Sequence, residues 1–413
     1  MLILLLLTAI YISDSSAQKI AAIEVELNSP ADGVDIPVST NLDKLTNLPG
    51  TNLRLIEINK GNIIPIPFQV EIKKERILNW IIRTKNSNQK KYIFELEEGT
   101  PVKGAQIAAE KKNGDLIIHT TNKNLLSYFY KTVYPPSGID TAFKRSGFIH
   151  PLWTPHGQVL TQIQPPDHYH HYGIWDPWTH VLFEGDTVDF WNLRDKKGTV
   201  RFADFASIEN GPVFSEYETL QKHIVFKKNG EEKTAINELQ SVKVYLPGDK
   251  QDYYIIDMSI ELSCATKSPV LLLKYRYGGL GWRATEEWNN KNSEILTSEG
   301  KTRKNADGSK ARWLIVQGAV DSGKDYAGIA WLSHPSNYNS PEPLRIWPED
   351  QNGRGDVFVN FSPTKDKDWL LEPGIKYLLR YRFIVFNNHF TKEKAESAWQ
   401  NFAESPVVNV KLN

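Results

Sequence analysis

Between Arg145 and Trp191 the chain gathers six of its ten histidines and four of its tryptophans, in RSGFIHPLWTPHGQVLTQIQPPDHYHHYGIWDPWTHVLFEGDTVDFW. Histidine is the side chain whose ordinary pKa lies nearest neutrality, so such a cluster can move protons or ligate a metal. Tryptophan adds a flat apolar platform with one donor. Together they suit a polar, ring-shaped ligand such as a sugar. The densest part is Pro165-Pro166-Asp167-His168-Tyr169-His170-His171. Two prolines exclude a helix there. In an extended chain His168 and His170 share one side and His171 points to the other. A His-x-His pair on one side can offer two imidazoles to a divalent metal, with Glu184 or Asp186 as a third ligand. The same rings could instead act as catalytic or substrate-binding imidazoles, or simply hold loops by hydrogen bonds. No motif demands a cofactor.

Two further clusters could face this one. Arg145-Ser-Gly-Phe-Ile-His150-Pro sets a guanidinium beside a histidine, a pairing able to clamp a carboxylate or sulfate. Tyr275 to Trp288 contains Gly278-Gly279-Leu280-Gly281-Trp282-Arg283 and then Glu286-Glu287. Three glycines in four residues permit close backbone approach, and Arg283 and Glu286 stand at a strand end, where sites are built. Trp153, Trp175, Trp178 and Trp191 are candidates to stack on a sugar, some of them being core. His334 with Asn337 and Tyr338, and Arg345 with Trp347, could form a far wall. Serine-hydrolase, zincin, nucleotide-fingerprint and paired-cysteine motifs are all missing.

These residues need a scaffold of strands. Residues 18–103 read as short alternating strands (AAIEVELN, LRLIEI, RILNWIIRT, KYIFELEE) separated by turn signals, which predicts a small β-sandwich. From 104 to 413 strands continue, and their number points to stacked antiparallel sheets, with one helix expected in TKEKAESAWQNFAES, capped by Thr391. The fold class expected is therefore all-β, a small sandwich followed by a large supersandwich carrying the cleft. Residues 1–17 have the length of a secretory signal with cleavage near Ala17, though no cation precedes the apolar run. Export to the periplasm is expected, with no membrane insertion. Lys+Arg and Asp+Glu both number 49, so no net field favours nucleic acid. The lone Cys264 cannot form an internal disulfide.

The blocks SGFIHPLWTPHGQVLT, PPDHYHHYGIW, VDFWN and GGLGWRA, in that order, resemble the secreted bacterial PmoA-like proteins, over roughly residues 20–400. Gly147, His150, Pro151, Asp167, His168, His170, His171 and Trp175 match that family's signature. Tyr169 and Tyr172 depart from it, where relatives carry Pro and Arg. The resemblance implies the β-supersandwich of sugar mutarotases and polysaccharide lyases, and a setting beside polysaccharide-degrading enzymes of Bacteroidetes. It does not imply methane chemistry, since a membrane copper oxidase needs spanning helices.

The function expected is a periplasmic carbohydrate-active lyase or dehydratase acting on oligosaccharides, uronate-containing ones included. Elimination beside a carboxylate needs a base, a cation and an acid. His168 or His170 could be the base, Arg145 or Arg283 the clamp, and His171 or Tyr172 the acid, with His150, Asp167, Trp175, Glu286 and His334 around the substrate. One rival is a glycoside hydrolase using two of Asp167, Asp176, Glu286 and Glu287. Another is a sugar-binding protein without catalysis.

Overall fold

Alternation of apolar and polar residues decides the first layer. In Lys19–Glu26, Ala21, Ile23 and Val25 are buried at every second position, and Leu53–Asn59 and Lys91–Glu98 repeat the pattern. A computed structural model describes residues 18–84, 88–248 and 252–413; the expected signal segment lies outside them. Strands make up 51% of the chain and helices 7%, in antiparallel sheets. The protein is all-β.

The N-terminal strands form a five-stranded and a three-stranded sheet around Ile23, Leu55, Trp80 and Phe94. The division at residue 103 falls between the strands Lys91–Glu98 and Ile107–Lys112. The last strand, Val407–Leu412, returns to this small sandwich, pairing with Lys19–Glu26 in the register Ala21 to Leu412. The final residues of the expected large domain thus complete the edge of the small one.

The remainder contains two eight-stranded sheets that share one core, including Tyr128, Tyr217, Ile260, Trp282, Trp331 and Tyr381. A further four-stranded sheet contains Val181–Phe183 and Val270–Leu272. The helix Lys392–Ala403 is capped by the Thr391 side chain, which accepts from Lys394 N at 3.3 Å. Cys264 is partly buried and directs its thiol to the Leu371 carbonyl at 3.2 Å.

Four short strands of one large sheet place the histidine segment. Ile149 pairs with Ile174, Ile174 with Trp282 and Trp282 with Val359. These strands are antiparallel, so the start of Ile174–Trp175, the end of Gly281–Arg283 and the start of Phe358–Phe361 share one sheet edge. His171, Arg283 and Asp356 therefore converge from distant parts of the chain. Gly173 makes the junction possible: its φ is +59°, and a Cβ there would lie 2.2 Å from the Ile149 carbonyl oxygen.

Candidate functional site

The segment after the two prolines is not extended. His168 N donates to Pro165 O at 2.9 Å and His171 N to His168 O at 3.0 Å, giving two successive tight turns. Gln164 N to His171 O at 2.8 Å closes the base of the loop. These turns bring His171 to the same side as its neighbours, correcting the expectation that it points away. Ring centroids are 5.3 Å apart for His168–His170, 4.7 Å for His168–His171 and 4.8 Å for His170–His171. One nitrogen from each ring lies within 4.8 Å of the other two. The third member of the triplet is His171. Glu184 is elsewhere, holding Lys233 at 2.7 Å and Ser268 at 2.8 Å, while Asp186 pairs with Lys227 at 3.0 Å.

A polar network orients the triplet. His168 Nδ1 is 2.6 Å from Asp167 Oδ2, leaving Nε2 as its free nitrogen. Asp167 also accepts from Asn352 Nδ2 at 2.7 Å and from Arg283 Nη2 at 3.4 Å. Arg283 further donates to Asp356 at 3.0 Å and Gln162 at 3.3 Å, and its guanidinium lies 4.7 Å over the Trp347 ring. Burial alone would raise the Asp167 carboxyl; the His168 hydrogen bond and the Arg283 charge outweigh it and hold the group down at about 2. Burial, with positive neighbours adding to it, lowers His170 to about 3 and drives His171 well below its ordinary value. Both rings are neutral at pH 7 and weakly basic, a poor match for a base or acid tuned to neutrality. Beneath the triplet lies an aromatic floor of Phe148, Trp175, Trp191, Trp347 and Phe358.

Other expected site residues are placed differently. Arg145 is only 2% exposed, donates to the Phe190 carbonyl at 3.4 Å and borders a separate cavity of about 370 Å³ lined by none of the three histidines; burial lowers it to about 10, so it stays cationic but is not a clamp at the triplet. Tyr172 is buried, donating to the Phe143 carbonyl and accepting from Gln164, and burial raises its hydroxyl to about 12. It is part of the packing and not an accessible acid. Arg283 is at the site, but Asp167 and Asp356 already take its charge. Trp175, Trp178 and Trp191 are 1%, 0% and 2% exposed and offer no face for stacking; Trp153 is half-buried. His150 bonds Thr161 Oγ1 at 2.9 Å and is lowered by burial to about 4. Glu286 is exposed beside Gln162, at 3.4 Å. His334 belongs to a separate cluster with Ser336, Arg380 and Phe402.

Sequence reasoning missed Asn352 and Asp356. They sit in DQNGRGD, a loop whose composition signals a turn and nothing more. Trp347 had appeared only as a possible far wall; it packs against His168 at 4.9 Å and His171 at 5.4 Å. A large cavity of about 820 Å³ lies between the C-terminal helix and Ser29–Pro30, lined by neither the histidines nor their partners.

Residues 116–400 match the model of a family of unknown function, DUF6807. The match spans more than half of the chain and contains the whole histidine network, and the chain belongs to that family. No curated protein matches it. Among the described residues no helix is long and apolar enough to cross a membrane.

Proposed function

We propose that the protein is a carbohydrate-active enzyme of the lyase or dehydratase type, acting on oligosaccharides in the periplasm at the His168–His170–His171 face. The observation that carries this reading is the convergence of three imidazoles at the edge of a β-supersandwich, held by the Asp167–Arg283–Asp356 network. Elimination requires positive charge gathered on the acidic or departing oxygen of the substrate. Arg283 already shares its charge with Asp167 and Asp356, and Arg145 borders a different cavity, so three electron-pair donors on one face are the group suited to collect it. The likeness to PmoA-like proteins adds the setting of polysaccharide breakdown.

The hydrolase alternative loses its carboxyl pairs. Asp167 is committed to His168, Arg283 and Asn352. Asp176 is in the core, and Glu286 and Glu287 are surface neighbours. The binding-only alternative loses its stacking tryptophans, three of which are core. The test is mass spectrometry of algal and plant oligosaccharides after incubation with the pure protein. Loss of water, or chain cleavage giving an ultraviolet-absorbing double bond, is expected for at least one uronate-containing substrate. Products that gain water, or no product across the panel, would refute the proposal.

A further inference from the structure

Three nitrogen donors converge beside Arg283, whose charge is shared with Asp167 and Asp356. We infer that His168, His170 and His171 bind one divalent late-first-row transition ion, zinc or a neighbour, with an open coordination position facing outward.

Three observations carry this inference. The three ligand atoms lie within 4.8 Å of one another. At a zinc–nitrogen distance of about 2.0–2.1 Å, tetrahedral nitrogens are roughly 3.4 Å apart, so the rings need close by no more than about 1.4 Å. The Asp167–His168 contact of 2.6 Å is the carboxylate–histidine arrangement that fixes which imidazole nitrogen faces a metal. His171 Nδ1 is buried and has no hydrogen-bond partner among the described residues, so a donor atom is left without an acceptor role to fill.

The donor set selects the ion. Imidazole nitrogens suit zinc, copper, nickel, cobalt and iron, whereas calcium and magnesium need oxygens. Three protein ligands rather than four leave room for an outside ligand, the pattern of a catalytic site. The inference deepens the proposed function by supplying its missing positive charge, but it stands on geometry that requires no turnover.

The test uses untagged full-length protein, stripped with chelator and titrated with Zn²⁺ and with Co²⁺. One equivalent per chain is expected, the cobalt form showing visible d–d absorption. Asp167→Asn should weaken Co²⁺ binding about 10–100-fold, as outer-shell changes do, and His168→Ala and His170→Ala by more than that. Thermal melts of metal-free His170→Ala should stay close to wild type, and those of Asp167→Asn and His168→Ala should show only the lost pairing of Asp167. Where a variant fails to fold, the wild type decides. Co²⁺ should perturb the NMR signals of these three rings, and perturbation of His119 or His156 instead would overturn the inference. So would the absence of stoichiometric binding, or unchanged affinity in His168→Ala. Metal binding without sugar products would retain this site and remove the proposed function. Products insensitive to chelation would do the reverse.

Discussion

Replacing Arg283 by methionine removes the charge that holds Asp167 and Asp356 together while keeping most of the packing on Trp347. Arg283 is almost fully buried, and its Nη2 reaches both carboxylates, at 3.0 Å to Asp356 and 3.3 Å to the nearer Asp167 oxygen. Removing one partner of a buried pair costs about 3–5 kcal/mol. The Asp167 side chain is 28% exposed and that of Asp356 14%, so water takes up part of the stranded charge and about 2–3 kcal/mol is expected. The proton balance agrees. Bringing Asp167 from its ordinary 3.8 to about 2 is worth about 2 kcal/mol at about 1.4 per tenfold, shared between the His168 hydrogen bond and the Arg283 charge. Because that carboxyl is depressed in the folded state, its stabilisation is complete above 3.8 and is lost as the pH falls through about 2. In Arg283→Met one of the two groups that oppose burial is gone, the His168 bond remaining, and the carboxyl rises, so protonation relieves the variant sooner. Urea denaturation at pH 7 and at pH 4 measures both effects. The difference from wild type should be about 2–3 kcal/mol at pH 7 and clearly smaller at pH 4. A difference below about 1 kcal/mol, or one equal at the two pH values, would refute the electrostatic account of this network.

His150 and His170, lowered to about 4 and about 3, should remain neutral in the folded metal-free protein well below 6.5, and NMR titration should show no midpoint near neutrality. Since unfolding lets them take up protons, they withdraw stability as the pH falls from 6.5 toward those values. Trp175→Ala should lower stability by about 3–5 kcal/mol through the cavity left in the aromatic floor, measured by denaturation. A fully stable variant would contradict its core position. Gly173→Ala forces a Cβ to within 2.2 Å of a backbone carbonyl at φ +59°, and calorimetry should show a loss of more than about 1 kcal/mol.

Local pattern made the strands readable, because alternation such as Ala21, Ile23, Val25 is written within eight residues. The one α-helix among the described residues carried its own signal in Thr391 and the apolar face of Ala395, Trp399 and Phe402. What failed were inferences about which groups meet. An extended reading of Asp167–His171 sent His171 to the wrong side, because side-chain alternation says nothing once two i to i+3 turns intervene. Arg145 looked like a clamp because a histidine follows it closely in the chain, yet the fold buries its guanidinium, and burial is what dominates its surroundings. Asp356 and Asn352 join the site because their loop leads into Phe358, the direct register partner of Arg283 in the same sheet. The C-terminal strand similarly pairs with residues nearly 400 positions earlier in the chain. The histidine cluster was visible as composition; its becoming a three-nitrogen face depends on Gly173, whose missing Cβ lets the Ile149 strand pass close enough to align Ile174 with Trp282 and so His171 with Arg283. A site assembled by strand register is therefore more sensitive to that glycine than to the exposed residues around it.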